Sequence, residues 1–218
     1  MENNDGVYLL QLRRDLYNLL RHIFRGSLNA DLLASLKSWL GEKDYFEDDS
    51  LVGKGLKLVK EVLTSAGDLP VLAERLAGEY TRLFLGPGRA PVGLYETLYT
   101  SENRLLMQET TLAVRKCYLQ AGLVSERLNS VPDDYLAAEM EYMFFLCVQT
   151  LENLELNQYA MAERYLELQR EFLDRHLLTW LPGMARDLEN NTSEPFFKGI
   201  ALITRGLMEV EREVVFTA

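Results

Sequence analysis

Pro132-Asp133-Asp134-Tyr135-Leu136-Ala137-Ala138-Glu139-Met140-Glu141-Tyr142-Met143-Phe144-Phe145-Leu146-Cys147-Val148-Gln149-Thr150-Leu151-Glu152-Asn153-Leu154-Glu155-Leu156 is the stretch whose reading decides the fold. Leu136, Met140, Met143, Cys147, Leu151 and Leu154 recur at three- and four-residue steps, the signature of one buried helix face. Tyr135, Glu139, Tyr142 and Leu146 form a second seam beside it, and Phe144 and Phe145 widen the apolar sector further. A helix with so little polar surface at its middle must be surrounded by other helices. Pro132 followed by Asp133 and Asp134 marks its start, since an aspartate can cap free N–H groups and its charge suits the positive helix end.

The same period runs outward in both directions. Leu9, Leu12, Leu16, Leu19, Leu20 and Ile23 predict a helix over about residues 5–24, stopped by Gly26. Further helices are expected over about residues 29–40, with Gly41 as stop signal, and over about 51–66 and 69–85, the last opened by Asp68-Leu69-Pro70. Then come about 102–121, about 157–178, and a final helix after Ser193-Glu194-Pro195. Trp180-Leu181-Pro182-Gly183 reads as a break, because an interior proline removes an N–H and crowds the preceding turn. β-branched alternating runs are almost absent. The expectation is an all-α fold, one domain over residues 1–218 built as a bundle of about eight to ten helices. The 86–99 stretch breaks the pattern. A loop of that length in a helical domain is a candidate site.

Twenty-three Lys and Arg stand against 33 Asp and Glu, a formal charge of −10 that disfavours nucleic acid and anionic membranes and favours basic partners. No apolar run approaches a transmembrane helix and the N-terminus lacks signal-peptide order, so stable membrane insertion is not expected and a cytoplasmic location is. Cys117 and Cys147, the two cysteines, sit in apolar helical patterns without CxxC spacing and read as buried thiols.

Catalytic and metal chemistry find little here. His22 and His176 are the two histidines, neither in an H-E-x-x-H or E-x-x-H pattern, and both read as ordinary helix residues. Gly86-Pro87-Gly88 makes a poor phosphate cradle because Pro87 has no N–H. Asp133-Asp134 with Glu139 superficially resembles the aspartate-rich helix of magnesium-dependent isoprenoid enzymes, but the spacing fits badly and a second acidic motif is missing. No catalytic residue, metal ligand or cofactor is expected. A helical adaptor without an export client is an alternative reading.

Three blocks together resemble the TorD/DmsD/NarJ family of cytoplasmic chaperones for molybdenum redox enzymes. They are Tyr80-Thr81-Arg82-Leu83-Phe84-Leu85-Gly86-Pro87 with Pro91 and Tyr95-Glu96 after it, Pro132-Asp133-Asp134-Tyr135-Leu136 running into Glu139, and Phe172-Leu173-Asp174-Arg175-His176-Leu177-Leu178-Thr179-Trp180. Tyr135 stands where many members have histidine. The resemblance implies a monomer or domain-swapped homodimer that binds the twin-arginine leader of a molybdopterin oxidoreductase precursor and holds it until cofactor insertion. A groove is expected from Tyr80, Leu83, Phe84, Gly86, Pro87, Pro91, Tyr95, Glu96, Tyr99, Pro132, Asp133, Asp134, Tyr135 and Glu139. Tyr80, Phe84, Tyr95 and Tyr99 would anchor the leader's apolar part, and Glu96, Asp133 and Asp134 would form an acidic rim facing its arginines.

Overall fold

The helical periods of the sequence become helices, and the computed structural model describes residues 2–42, 49–86, 88, 90–101, 106–107, 109–124 and 131–217. In chain order they are α1 Glu2–Phe24, α2 Ala30–Glu42, α3 Leu51–Ser65 and α4 Leu69–Tyr80, continued by a π-helical turn at Thr81–Leu85. After them come α5 Thr97–Thr100, α6 Glu109–Gln120, α7 Leu136–Glu155 and α8 Tyr159–Phe172. A second π turn, Leu173–Leu177, leads from α8 into α9 Leu178–Asn191, and α10 Pro195–Thr217 follows. The fold is all-α. No strand occurs among the described residues, only an isolated antiparallel bridge between Tyr95 and Tyr135.

Contacts sort the chain into two compact units, each discontinuous in sequence. The first comprises residues 1–21, 95–180 and 211–218, the second residues 22–94 and 181–210. In the first, α7 is the central element as its periodicity requires: Leu136, Met140, Met143, Leu146 and Cys147 are fully buried, and α8 is its main neighbour. Its Arg13 and Glu211 form a buried ion pair, Nε to Oε1 2.8 Å, and Tyr17 donates its hydroxyl to the same oxygen at 2.8 Å. In the second unit α3 crosses α10 at glycines. A Cβ added at Gly55 would lie 2.6 Å from the Gly199 carbonyl, so neither position has room for a side chain.

Local signals set several boundaries. Ser50 caps α3 by accepting from Gly53 N at 3.0 Å, and Asp68 caps α4 by accepting from Val71 N at 3.3 Å. Gly26 takes φ +82° just past α1, where its missing Cβ also makes room for the Tyr80 ring. Two expectations need correction. Gly41 does not stop α2, which runs to Glu42. Nor does Pro182 break the chain: α9 passes through it. Leu181, Met184, Ala185 and Leu188 are all fully buried, and that packing outweighs one lost backbone hydrogen bond.

Candidate functional site

The start of α7 is built differently from its sequence signal. Neither aspartate caps the helix: Tyr135 is the N-cap residue and makes no side-chain cap bond. Asp134 is fully buried and turns instead to the short α5 and to α6. Its Oδ2 accepts the Thr97 backbone N–H at 3.1 Å and the Thr97 hydroxyl, and its Oδ1 accepts the Thr111 hydroxyl at 2.7 Å. Its carbonyl accepts Glu96 N–H at 3.1 Å, which together with the Tyr95–Tyr135 bridge lays residues 95–97 along the α7 entry. Asp133 Oδ2 accepts from Arg115 Nε at 2.7 Å, and its carbonyl takes the Tyr118 hydroxyl at 2.9 Å. The expected acidic rim is therefore not a rim. Asp133, Asp134 and Glu96 are 2%, 0% and 2% exposed, and each carboxylate is turned to partners inside the unit.

Glu96 begins a second chain of contacts within the same unit. Its Oε2 lies 2.9 Å from His176 Nδ1, and His176 Nε2 lies 3.8 Å from Cys117 Sγ. The imidazole is steadied by Phe172, ring centroids 4.9 Å apart. Glu139, fully buried one turn into α7, accepts from Trp180 Nε1 at 3.2 Å through Oε2, while its Oε1 finds no partner among the described residues. Burial pushes the Glu139 carboxyl well above the usual range, and the charges of Glu96 and Asp134 push it further. Burial also raises Glu96, against the pull of His176. Burial alone would lower the His176 imidazole, but its bonds to Cys117 and Glu96 and the Glu96 charge outweigh that and hold it at about 9.

The predicted residues divide between the two units. Tyr95, Glu96, Tyr99, Pro132, Asp133, Asp134, Tyr135 and Glu139 come together in the first around this polar frame. Tyr95 and Tyr135 stand half-buried with ring centroids 5.5 Å apart, and half-buried Tyr99 packs on Trp180 at 5.5 Å. Tyr80, Leu83, Phe84, Gly86 and Pro91 belong to the second unit, and Pro87 lies outside the described residues. Tyr80 and Phe84, expected as leader anchors, are core residues there. The Tyr80 hydroxyl bonds the Phe24 carbonyl at 2.7 Å, and Phe84 packs against Tyr80, Phe24 and Phe197 at 4.7, 6.1 and 6.2 Å. Leu83 is fully buried, its carbonyl accepting Val92 N–H at 3.1 Å, whereas Pro91 is exposed.

Sequence reasoning missed Thr97, Thr111, Arg115, Cys117 and His176 as members of the frame. His176 had a signal, standing in one of the three blocks quoted above, but was read as an ordinary helix residue. The threonines had none. Among the described residues no group of three or more His, Cys, Asp or Glu is placed to hold a metal ion, and no helix is long and apolar enough to cross a membrane.

Residues 45–186 match the family described as nitrate reductase delta subunit, a span that encloses every side chain of the frame. The chain belongs to that family. As a member of it, the chain is 27% identical over 138 residues to the chaperone protein TorD of Vibrio cholerae serotype O1, covering 63% of this chain and 61% of that one. It is 34% identical over 140 residues to the selenate reductase assembly chaperone protein of Thauera selenatis, covering 60% and 67%. With the perchlorate reductase assembly chaperone protein of Dechloromonas aromatica it shares 31% over 114 residues, 50% of this chain and 46% of the relative. The matched stretch thus spans about three fifths of the TorD relative's length.

Proposed function

We propose that this family member is a cytoplasmic maturation chaperone that acts by binding rather than by catalysis. Its client is the precursor of a molybdopterin oxidoreductase, whose twin-arginine leader, apo form or both it holds until the cofactor is inserted and export can proceed. The observation carrying this reading is that relatives sharing the matched region are named assembly chaperones of reductases. The geometry adds a way to do it. The buried frame of Asp134, Thr97, Thr111, Glu96 and His176 fixes residues 95–97 against the start of α7, so the half-buried Tyr95 and Tyr135 rings are presented on a rigid support. A pair of tyrosines suits a peptide that is basic and then apolar: ring faces attract guanidinium groups and also bury apolar side chains. The net charge of −10 favours such a basic partner over longer range.

Calorimetric titration of a twin-arginine leader peptide into the full chain tests this. The leader is expected to bind, and the same peptide with both arginines replaced by glutamine to bind at least tenfold more weakly. Tyr95→Ala should cost about 1–2 kcal/mol of affinity with helical content unchanged. If neither leader nor apo-precursor binds, the chaperone reading fails. If the leader binds Tyr95→Ala like wild type, the contact surface is elsewhere.

A further inference from the structure

Cys117, His176 and Glu96 stand in line, Sγ to Nε2 3.8 Å and Nδ1 to Oε2 2.9 Å. The order is thiol, imidazole, carboxylate, which in cysteine nucleophiles activates the sulfur: the carboxylate holds Nδ1–H and orients the ring, and Nε2–H faces the sulfur and favours its thiolate. The parts come from three separate elements, α6, the second π turn and the segment before α5, so helical spacing does not create the alignment. Phe172 against the imidazole restricts its rotation. The Tyr142 hydroxyl donates to the Cys117 carbonyl at 3.0 Å and fixes the backbone under the sulfur. Cys147 supplies a contrast within the same unit. It is fully buried, has no imidazole beside it, and burial pushes its thiol up to about 12. Cys117 keeps 7% of its surface, beside the exposed Lys116 and Gln120.

We propose that Cys117 is a modification site, a thiol activated by His176 and Glu96 that undergoes exchange with a low-molecular-weight disulfide. The proton of the Cys117 thiol passes to water, and the His176 imidazolium, held at Nδ1–H by Glu96, presents Nε2–H to the thiolate left behind. The sulfur's electron pair attacks one sulfur of the disulfide, the S–S bond breaks, and the departing thiolate takes a proton from water. Cys117 ends oxidised as a mixed disulfide, and the other half of the reagent leaves reduced as a free thiol. This inference stands on the three side chains and does not depend on the identity of the client.

The full chain treated with bis(2-hydroxyethyl) disulfide at pH 7 provides the test, with adduct formation at each cysteine followed by peptide mass spectrometry. Cys147 reports opening of the fold in the same molecule, so the ratio of the two rates removes any effect of global stability. Cys117 is expected to react at least tenfold faster than Cys147. Glu96→Gln retains an acceptor for Nδ1–H without the charge and should lower the ratio severalfold; His176→Gln should bring it close to one. Equal rates at the two cysteines in wild type, or an unchanged ratio in both variants, would overturn the proposal.

Discussion

Replacing Asp134 separates its internal role from a role as a surface charge. The carboxylate accepts three hydrogen bonds: from the Thr97 N–H at 3.1 Å, from the Thr97 hydroxyl, and from the Thr111 hydroxyl at 2.7 Å. Thr97 is fully buried and Thr111 nearly so, so no water replaces what is removed. Asp134→Ala leaves the fixed Thr97 N–H without an acceptor and forces both hydroxyls to seek new ones. Each hydrogen bond to a charged acceptor contributes about 1.5–3 kcal/mol, and hydroxyl rotation recovers part of the loss, so a cost of roughly 3–5 kcal/mol is expected. Asp134→Asn is milder. Its amide oxygen can stay at the Oδ2 position to serve Thr97, while its NH2 donates to Thr111 once that hydroxyl turns round. Charge assistance is lost, but so is repulsion of Glu96 and Glu139, both of which the Asp134 charge pushes upward. The net cost should be about 1 kcal/mol. Urea unfolding of wild type and both variants measures this directly. An alanine variant within 1 kcal/mol of wild type, or an asparagine variant as damaged as the alanine one, refutes the reasoning. Leader binding adds a second check. Because Asp134 is fully buried, any loss of affinity in Asp134→Asn should be the same at low and moderate salt, whereas an exposed charge would lose its effect as salt rises.

Phe84→Ala should destabilise the chain by about 3–5 kcal/mol, since it empties a site enclosed by Tyr80, Phe24 and Phe197; a thermal unfolding midpoint unchanged from wild type would count against this. Stability should fall as pH rises. His176 is held at about 9, above its ordinary value near 6.5, so its contribution is complete below about pH 6.5 and is lost as pH climbs through 9, a change on the order of 3 kcal/mol. Glu96 and Glu139 are also raised and act in the same direction from lower pH. Urea titrations at pH 6.5, 8 and 9.5 should show this slope in wild type and a flatter one in His176→Gln; a flat or rising wild-type profile would contradict the frame. Two glycine substitutions should go opposite ways. Gly55→Ala drives a Cβ to 2.6 Å from the Gly199 carbonyl and should cost about 2 kcal/mol or more, while Gly78→Ala meets nothing within 4 Å and should stabilise α4 by about 0.5–1 kcal/mol, both readable by denaturant unfolding.

The helices were legible in the chain because their signals are local. A period of 3.6 residues, Ser50 and Asp68 as caps, and Gly26 as a stop act within one or two turns, and α1, α3 and α7 appear close to where those signals put them. Signals that compete with packing misled. Pro182 reads as a break, yet the burial of Leu181, Met184 and Leu188 carries α9 through it. Asp133-Asp134 reads as a helix cap, yet Asp134 serves Thr97 and Thr111, partners 37 and 23 positions away in sequence. Tyr80 and Phe84 read as anchors of a leader groove, yet their enclosure with Phe24 and Phe197 is set by segments far along the chain. The sequence by itself determined an all-α chain and the blocks that place it in its family. Only the tertiary structure decided which acids are buried, which tyrosines stay half-exposed, and that Cys117, His176 and Glu96 stand in line. Local periodicity tells a side chain which face of its own helix it occupies; what that face meets depends on contacts between distant segments, and those fix burial, charge and proton position.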